Sequence, residues 1–426
     1  MDQIAYHPIR ISHHTSLFLP YTQQELDAYK TGSLNPLRSH PPTNSSAQSS
    51  NQLTKSSSSS GASPPHSPPT YSAPSPLLIP IDLSTSCPSS ESHSILPQPS
   101  ISQVVAHHYN SRPNLTKDGR TESTIYGLRK FNNWIKSLII GKFGSMKSKT
   151  INELALKFNR NSNLNNNDRF RLKVLELGCG KGGDLAKWQN AGVRELYGLD
   201  IANVSIQQAQ QRYSESRKKT LSAKFIALDC FSVPIESVMT QDELSTPFHV
   251  VSLQFCMHYA FETQTKARTM LQNVTKFLTP GGVFIGTIPD SDILMDRWKE
   301  SSNQPRGPFA FGNSIYQVQF PNPFNPNQDE KKIYGVPYQF YLEDAVENVP
   351  EYVVYWEPFV QLAKEFGLRL IYKEGFHDIY QTEKALVENQ QLLKRMNVID
   401  EKGNFLINHD QWEVSGLYLA FAFIKE

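Results

Sequence analysis

The chain has 426 residues and a formal net charge of +2, with 42 lysine and arginine residues against 40 aspartate and glutamate residues. This balance argues against a protein that coats long nucleic acid, although it allows a short anionic substrate. The four cysteines form no C-x-x-C pair and no zinc-ligand spacing, so neither a metal site nor a disulfide framework is supported. No apolar run approaches the roughly 18 residues of a membrane span, and the N-terminus does not resemble a secretory signal. We expect a soluble intracellular protein that binds no membrane.

The N-terminal quarter has a strongly biased composition. Serine, proline, threonine and asparagine dominate residues 31–103, including five consecutive serines from Ser56 to Ser60. Such a segment buries too little apolar surface to offset the entropy of ordering it. We therefore predict a disordered tail over residues 1–103, acting as a spacer or as a docking arm tuned by phosphorylation, and one large domain over residues 104–426.

The predicted elements of the domain begin near "VVAHHYN". An amphipathic helix follows in "STIYGLRKFNNWIKSLIIGKF", where apolar residues recur at helical spacing, and residues 159–169 are predicted as a polar loop. Strands and helices then alternate from residue 172 to residue 289, including a helix at "NVSIQQAQQRYSESRKK" capped by Asn203 or Ser205. This alternation predicts an α/β fold with a mostly parallel sheet and helices on both faces. The remainder is β-rich, with strands at "NSIYQVQF", "KIYGVPYQFYL", "EYVVYW" and "GLYLAFAFI".

Polar and acidic residues follow the ends of the first four predicted strands. They are Glu176 to Gly183, Asp200, Asp229, and Gln254 to Tyr259, in chain order. Because open α/β sheets bind ligands beyond the carboxyl ends of their strands, we expect these residues to surround one site.

The glycines from Gly178 match G-x-G-x-x-G, which would fit a dinucleotide pyrophosphate at a helix N-terminus. Asp200, twenty positions past Gly180, suits ribose hydroxyls in either a dinucleotide or another adenosine ligand. Asp229 suits an adenine amino group, which a dinucleotide enzyme does not require. S-adenosylmethionine carries no phosphate and tolerates surrounding carboxylates, and "ELGCG" with Asp200 and Asp229 resembles the class I methyltransferases, whose fold is Rossmann-like.

Six further blocks carry a closer resemblance. They are "FNNWIKSLI", "VLELGCGKGGDLAKW", "GLDIANVSI", "QFCMHYAF", "VPEYVVYW" and "LYLAFAF". In this order they resemble the eukaryotic mRNA cap (guanine-N7) methyltransferases, of the fungal type, over residues 104–426. The resemblance implies methyl transfer from S-adenosylmethionine to N7 of the terminal guanosine of GpppN-capped RNA, a nuclear location, and contact with other capping enzymes or the transcription machinery.

The resemblance also assigns roles to individual residues. It implies that Lys136 holds the methionine carboxylate and that Gly178 leaves room for the methionine end, while the ribose, the adenine and the cofactor wall fall to Asp200, Asp229, Gln254 and Tyr259. The cap-binding residues that it implies are Asn132, Asn133, Lys181, Lys187, Arg212, His258, Glu351 and Tyr418. Glu351 is expected to accept from guanine N1–H and the N2 amino group. No general base is expected, because guanine N7 has a lone pair and no proton to lose, and no metal is expected, because the cysteines lack ligand spacing.

Three alternatives remain open at this point. A small-molecule methyltransferase would share the fold, but the Asn132-Asn133-Lys136 block and Glu351 argue against it. An inactive cap-binding or scaffold module is disfavoured by the retained strand-end acids. A dehydrogenase is disfavoured by Asp229 and by the lack of a hydride-transfer constellation.

Overall fold

The computed structural model describes residues 100–112, 119, 121–161, 170–216, 220–302, 310–321 and 333–426. Its first three helices are α1 (Ile101–Ser111), α2 (Tyr126–Phe143) and α3 (Lys149–Asn161). Helix α1 begins three residues before the predicted domain boundary at 104, because Ser100 and Gln103 form a capping box. The predicted tail before Ser100 lies outside the described residues.

The strands are β1 (Lys173–Leu177), β2 (Glu195–Asp200), β3 (Ser222–Ala227), β4 (Phe248–Gln254), β5 (Leu278–Pro289), β6 (Ala310–Gly312), β7 (Tyr316–Gln319), β8 (Pro337–Leu342), β9 (Val346–Tyr352), β10 (Leu368–Gly375) and β11 (Tyr418–Lys425). The further helices are α4 (Leu185–Asn190), α5 (Asn203–Ser214), α6 (Gln241–Ser245), α7 (Gln264–Thr275), α8 (Ser291–Ser302), α9 (Trp356–Glu365), α10 (Phe376–Glu383), α11 (Val387–Arg395) and α12 (His409–Ser415). Two short 3₁₀ helices cover Ile235–Ser237 and Met257–Glu262.

The central sheet has seven strands in the order β3-β2-β1-β4-β5-β11-β10. Strands β1 to β5 pair in parallel, whereas β11 runs antiparallel to both of its neighbours. The strand order reverses at β1, which has β2 on one side and β4 on the other. A crevice outside the carboxyl end of β1 is therefore the expected ligand site of this topology.

Helices cover both faces of this sheet, as the sequence predicts. Every residue of β1 and β4 is buried, which is typical of strands with a core on each side. On one face Val174 belongs to the same apolar cluster as Phe131 and Trp134 of α2. On the other face Leu175 clusters with residues of α7 and α9, including Met270.

A second sheet, antiparallel and in the order β6-β7-β8-β9, is inserted between β5 and β10. It accounts for three of the strands predicted in the β-rich remainder, whereas the fourth, "GLYLAFAFI", forms β11 of the central sheet. Tyr338 of β8 lies directly opposite Glu351 of β9, so both side chains project from one face of the sheet. This register brings the Tyr338 hydroxyl within hydrogen-bond distance of the Glu351 carboxylate.

The predicted cap of α5 is wrong. Neither Asn203 nor Ser205 caps the helix, because Ala202 occupies the N-cap position without a side-chain bond. The cap comes from α1 instead, where Oδ1 of Asn110 accepts a 2.9 Å hydrogen bond from the amide of Val204. A local sequence pattern could not reveal this donor-acceptor pair because it joins two separate helices.

Two further boundaries differ from the sequence prediction. Helix α3 extends to Asn161, so the first residues of the predicted 159–169 loop are helical, while residues 162–169 lie outside the description. The predicted strand "EYVVYW" ends at Tyr352, and its last residue, Trp356, opens α9. Within the described ranges, no helix has the length and apolar character needed to span a membrane.

Candidate active site

Three glycines shape the turn between β1 and α4. Gly178, Gly180 and Gly182 have φ values of +72°, +52° and +66°, a region that residues with a Cβ rarely adopt. At Gly178 a Cβ would also lie only 2.5 Å from Sγ of Cys256. Position 178 therefore excludes a side chain for two reasons, and its bare backbone borders the adjoining cavity.

A cavity of about 240 Å³ lies at the carboxyl ends of β1 to β4. Five of the six residues predicted to hold a cofactor line it, namely Gly178, Asp200, Asp229, Gln254 and Tyr259. The structure thus brings together residues that are up to 81 positions apart in the chain (259 − 178). They meet at the sheet edge that the strand-end pattern indicates.

Asp200 is anchored by backbone amides at the end of β2. Its carboxylate accepts 2.8 Å and 2.9 Å hydrogen bonds from the amides of Gly180 and Ala202. Burial raises the pKa of Asp200, and these two amides only partly offset the effect. A ligand hydroxyl that donates to Asp200 would further favour its ionised form.

Asp229 sits in a more crowded polar environment. Its Oδ2 accepts 2.8 Å hydrogen bonds from the hydroxyls of Ser102 and Ser232, and its Oδ1 accepts from the amide of Phe231 at 3.2 Å. Lys266 donates to Oγ of Ser102 at 2.8 Å, which ties α1 to α7 across the cavity. An adenine amino group would share Asp229 with these donors.

Helix α1 forms a wall of the cavity that the sequence analysis missed. Its lining residues are Ile101, Ser102, Val105 and Tyr109. The hydroxyls of Tyr109 and Tyr259 lie 3.1 Å apart, and the two rings meet edge to face. The i, i+4, i+8 spacing of Ile101, Val105 and Tyr109 is the one sequence signal that could have identified this wall.

The sixth predicted cofactor residue, Lys136, lines a second and larger cavity of about 440 Å³. Two predicted cap-binding residues, Asn132 and Asn133, line this cavity as well. Phe255 belongs to the walls of both cavities. The two spaces therefore adjoin at Phe255, just after the end of β4.

A buried aspartate holds two lysines at the edge of this second cavity. Nζ of Lys136 lies 2.8 Å from each carboxylate oxygen of Asp184, and Nζ of Lys187 lies 2.7 Å from one of them. Burial alone would raise the pKa of Asp184, but the two lysines outweigh it and hold the pKa well below its usual range. Lys187 also donates to Oδ1 of Asn133 at 2.7 Å, which fixes that amide.

Glu176 of β1 lies beneath this cluster. Nε1 of Trp188 donates to its Oε1 at 3.3 Å, whereas its Oε2 has no hydrogen-bond partner among the described residues. Burial, reinforced by the charge of Asp184, raises the pKa of Glu176 to about 8. The carboxyl group is therefore largely protonated at neutral pH.

Glu351 lies in a buried aromatic pocket. Tyr338 donates to its Oε2 at 2.8 Å, and the hydroxyl of Tyr259 lies 3.4 Å from its Oε1. Nε2 of His258 also lies 3.4 Å from Oε1, but the geometry is not that of a hydrogen bond, and both ring nitrogens of His258 lack a partner within the described chain. Tyr338 is a residue of this site that sequence reasoning did not single out.

Tyr418 completes the aromatic surroundings. Burial raises its pKa well above the usual value, and the nearby charge of Glu351 adds to the rise. Its ring meets that of Phe255 edge to face at a centroid distance of 5.0 Å. Glu351, His258 and Tyr418 are thus brought together beside the shared wall of the two cavities.

Two predicted cap-binding residues lie elsewhere. Lys181 and Arg212 line neither cavity, as is also true of Lys187, His258, Glu351 and Tyr418. Lys181 donates to the backbone carbonyl of Arg112 at 3.2 Å, and Arg212 is half-buried in the last turn of α5.

Comparisons with known proteins identify the family. The profile of the mRNA (guanine-N(7))-methyltransferase domain matches residues 97–426. Curated relatives named mRNA cap guanine-N(7) methyltransferase are 46% identical in Cryptococcus neoformans, over 76% of this chain and 47% of that protein, and 44% identical in Schizosaccharomyces pombe, over 76% and 82%. A relative in Oryza sativa, mRNA cap guanine-N(7) methyltransferase 1, is 34% identical over 78% and 84%. The chain spans about half the length of the Cryptococcus relative.

The matched segment contains both cavities, the glycine turn and the Glu351 pocket. The agreement extends over fungal and plant relatives and over most of the chain, and it confirms the resemblance carried by the six sequence blocks. The chain belongs to the mRNA (guanine-N(7))-methyltransferase family.

Proposed function

We propose that this protein transfers a methyl group from S-adenosylmethionine to N7 of the terminal guanosine of GpppN-capped mRNA. Its family and the names of its relatives support this activity. The observation that carries the proposal is Glu351, a carboxylate only 4% exposed that is held by Tyr338 and lies 3.4 Å from Tyr259 of the smaller cavity's wall. A buried acceptor of this kind beside a cofactor cavity suits the paired N–H donors of guanine.

The smaller cavity fits S-adenosylmethionine. Three carboxylates, Asp200, Asp229 and Glu262, line it together with one lysine, Lys266, and this excess of negative charge favours a ligand without phosphate over a dinucleotide. In this proposal Asp200 takes the ribose hydroxyls, Asp229 the adenine amino group, and Lys136 the methionine carboxylate where the cavities adjoin. The cofactor supplies an electrophilic methyl group and leaves as S-adenosylhomocysteine. Gly178 presents bare backbone to this cavity, so the methionine end of the cofactor would meet no side chain there.

The residues around the guanine act by positioning. Guanine N7 has an in-plane lone pair and carries no proton, so the chain need not supply a general base. Glu351 would orient the base by accepting from N1–H and the N2 amino group, and its negative charge would favour the methylated, cationic guanine. His258 and Tyr418 would enclose the base and exclude water. The rate then depends on alignment of N7 with the methyl group.

The triphosphate of the cap needs cationic partners, and three basic side chains are candidates. Lys187, which donates to Asn133 of the larger cavity's wall, is proposed to meet triphosphate oxygens, and Lys181 and Arg212 are proposed to extend this contact. We further propose a nuclear location and contact with other capping enzymes or the transcription machinery.

A small-molecule acceptor is not favoured, since the relatives that match the domain are named for the mRNA cap.

The direct test is transfer of labelled methyl from S-adenosylmethionine to GpppA- and GpppG-capped RNA. We expect label at N7, recovered as m7GpppN after nuclease digestion, and no label on uncapped RNA of the same sequence. Glu351→Gln keeps the shape of the side chain and removes its charge, so transfer should fall at least tenfold while the cofactor dissociation constant changes little. Absence of label from both capped RNAs would refute the proposal.

Glu347→Gln is the matched control. Glu347 lies four positions earlier on β9 and is exposed, so the same chemical change is made on the same strand outside the pocket. We expect its transfer rate to equal that of the wild type. Equal losses in both variants would indicate damage to the strand rather than loss of guanine recognition.

A further inference from the structure

One face of α2 carries a polar stripe along the larger cavity. The opposite face is buried, with Leu128, Phe131, Trp134, Ile135 and Ile139 in the core. The stripe recurs every three or four positions and consists of Tyr126, Arg129, Lys130, Asn133 and Lys136. At a rise of 1.5 Å per residue it spans about 15 Å from Tyr126 to Lys136.

The larger cavity runs along this stripe, and its charge is of one sign. Arg129, Lys130 and Lys136 line it, and no carboxylate is among the described residues that do so. The smaller cavity, by contrast, is lined by three carboxylates, Asp200, Asp229 and Glu262, and one lysine, Lys266. A concave surface with several cations and no anion favours a polyanionic ligand.

An unsatisfied acceptor in the same cavity narrows the chemistry of that ligand. Oδ1 of Asn132 is buried and has no hydrogen-bond partner in the described part of the chain. Buried polar atoms are normally paired, so a ligand with a hydroxyl or amino donor is indicated. RNA combines such donors, its 2′-hydroxyls, with a phosphate on each nucleotide.

Lys130 is held where it can meet such a phosphate. Its ammonium lies 4.8 Å from the centroid of the Tyr126 ring, and this cation-π contact fixes the charge one turn beyond Asn133. The neighbouring Arg129 already donates to the backbone carbonyl of Asp344 at 2.6 Å, which braces the helix against the β8–β9 turn. Lys130 is therefore better placed than Arg129 to contact a ligand.

We propose that the Tyr126 end of this cavity binds the first transcribed nucleotides of the capped RNA. Lys130 contacts a phosphodiester, and Asn132 accepts from a ribose hydroxyl. This inference rests on the proposed function and adds to it, because it assigns a site to the RNA chain beyond the cap. It predicts that the protein discriminates capped RNA from the bare cap dinucleotide.

The test compares kcat/KM for GpppG dinucleotide with kcat/KM for a GpppG-capped RNA of about ten nucleotides. We expect the wild type to prefer the RNA and Lys130→Ala to lower the RNA-to-dinucleotide ratio about three- to tenfold. The log-log dependence of RNA binding on salt should also flatten by about 0.7, the change for one lost single-strand phosphate contact. Lys147→Ala, an exposed lysine outside both cavity walls, should leave the ratio unchanged.

Three results would contradict the proposal that this end of the cavity binds RNA. A wild-type ratio of one means that the chain beyond the cap is not bound. An unchanged ratio in Lys130→Ala means that other residues bind it, and an equal loss on both substrates assigns Lys130 to the cap itself. Failure to methylate any GpppN substrate would refute the proposed function and the subsite together, and is thereby distinguished from the first three results. Circular dichroism and cofactor binding verify that each variant is folded.

Discussion

The hydroxyl of Tyr338 donates a 2.8 Å hydrogen bond to Glu351, its direct partner across β8 and β9. Tyr338→Phe removes this donor and keeps the ring. Hydrogen bonds to charged groups contribute about 1.5–3 kcal/mol, so kcat/KM for capped RNA should fall about ten- to a hundredfold. We expect the loss mainly in KM for the RNA, since the bond orients Glu351 before any methyl transfer.

Tyr341→Phe is the control for this prediction. Tyr341 lies three positions further along β8, and no hydrogen bond of its hydroxyl is described. Steady-state kinetics should show this variant within twofold of the wild type. The cofactor dissociation constant should be unchanged in both variants, and a rise in Tyr338→Phe alone would assign Tyr338 to the cofactor site instead.

Asp184 compensates two lysines whose side chains are only 15% and 12% exposed. Asp184→Asn leaves both cations without their counter-charge, and removal of one partner from a buried ion pair costs about 3–5 kcal/mol. Urea unfolding should show a loss of this size. Asp242→Asn, an exposed aspartate of α6, should stay within about 0.5 kcal/mol of the wild type. A loss below about 1 kcal/mol at Asp184 would mean that water replaces the carboxylate.

Alanine substitutions at Gly178 and Gly180 distinguish two costs of an added Cβ, which are backbone strain and steric contact. Both have positive φ, but a Cβ at Gly180 meets nothing within 4 Å, whereas one at Gly178 lies 2.5 Å from Sγ of Cys256. Gly180→Ala should cost only the backbone strain, about 1–2 kcal/mol. Gly178→Ala should cost more and weaken cofactor binding.

A Cys256→Ala background tests this explanation. Removing Sγ relieves the contact at Gly178, so Gly178→Ala should become less costly there, while the cost of Gly180→Ala stays the same. Thermal unfolding of six proteins, namely the wild type, Cys256→Ala, the two glycine variants and the two double variants, gives the two coupling energies. Equal coupling for both glycines would contradict the contact as the cause.

Glu176 makes the stability depend on pH. Its native pKa is about 8, whereas the ordinary value is 4.5, so the unfolded chain binds fewer protons between these limits. Stability from this group is complete below about pH 4.5 and is lost as pH rises through about 8, at up to about 1.4 kcal/mol per pH unit. Glu176→Gln should flatten this decline in urea unfolding at pH 5, 6.5 and 8. Glu153→Gln, at an exposed position of α3, should keep the wild-type slope.

Residues that follow the parallel strands were predictable from the sequence. Strand ends at Gly178, Asp200, Asp229 and Gln254 can be identified from local apolar runs, and the topology then brings them to one edge. The parallel sheet needs no further information, because its strand order is typical of repeated βα units. The strand-end residues of the smaller cavity were therefore found without knowledge of tertiary contacts.

Contacts that depend on tertiary structure were not predictable in this way. Ser102 bonds to Asp229 across 127 positions, and Lys136 bonds to Asp184 across 48. The pair of Asp184 with Lys187 is local, three positions apart, but nothing near Asp184 marks it as the counter-ion of Lys136 as well. Tyr338 meets Glu351 only because the register of β8 and β9 places them opposite one another.

The position of Phe255 couples the binding of a ligand in one cavity to the binding of a ligand in the other. This residue has a φ of +60° and contributes to the walls of both cavities. A ligand that displaces Phe255 from one side would therefore change the shape of the cavity on the other side. If the first ligand changes the affinity for the second by some factor, the second changes the affinity for the first by the same factor. A substitution of this side chain would therefore alter the affinities for both ligands together.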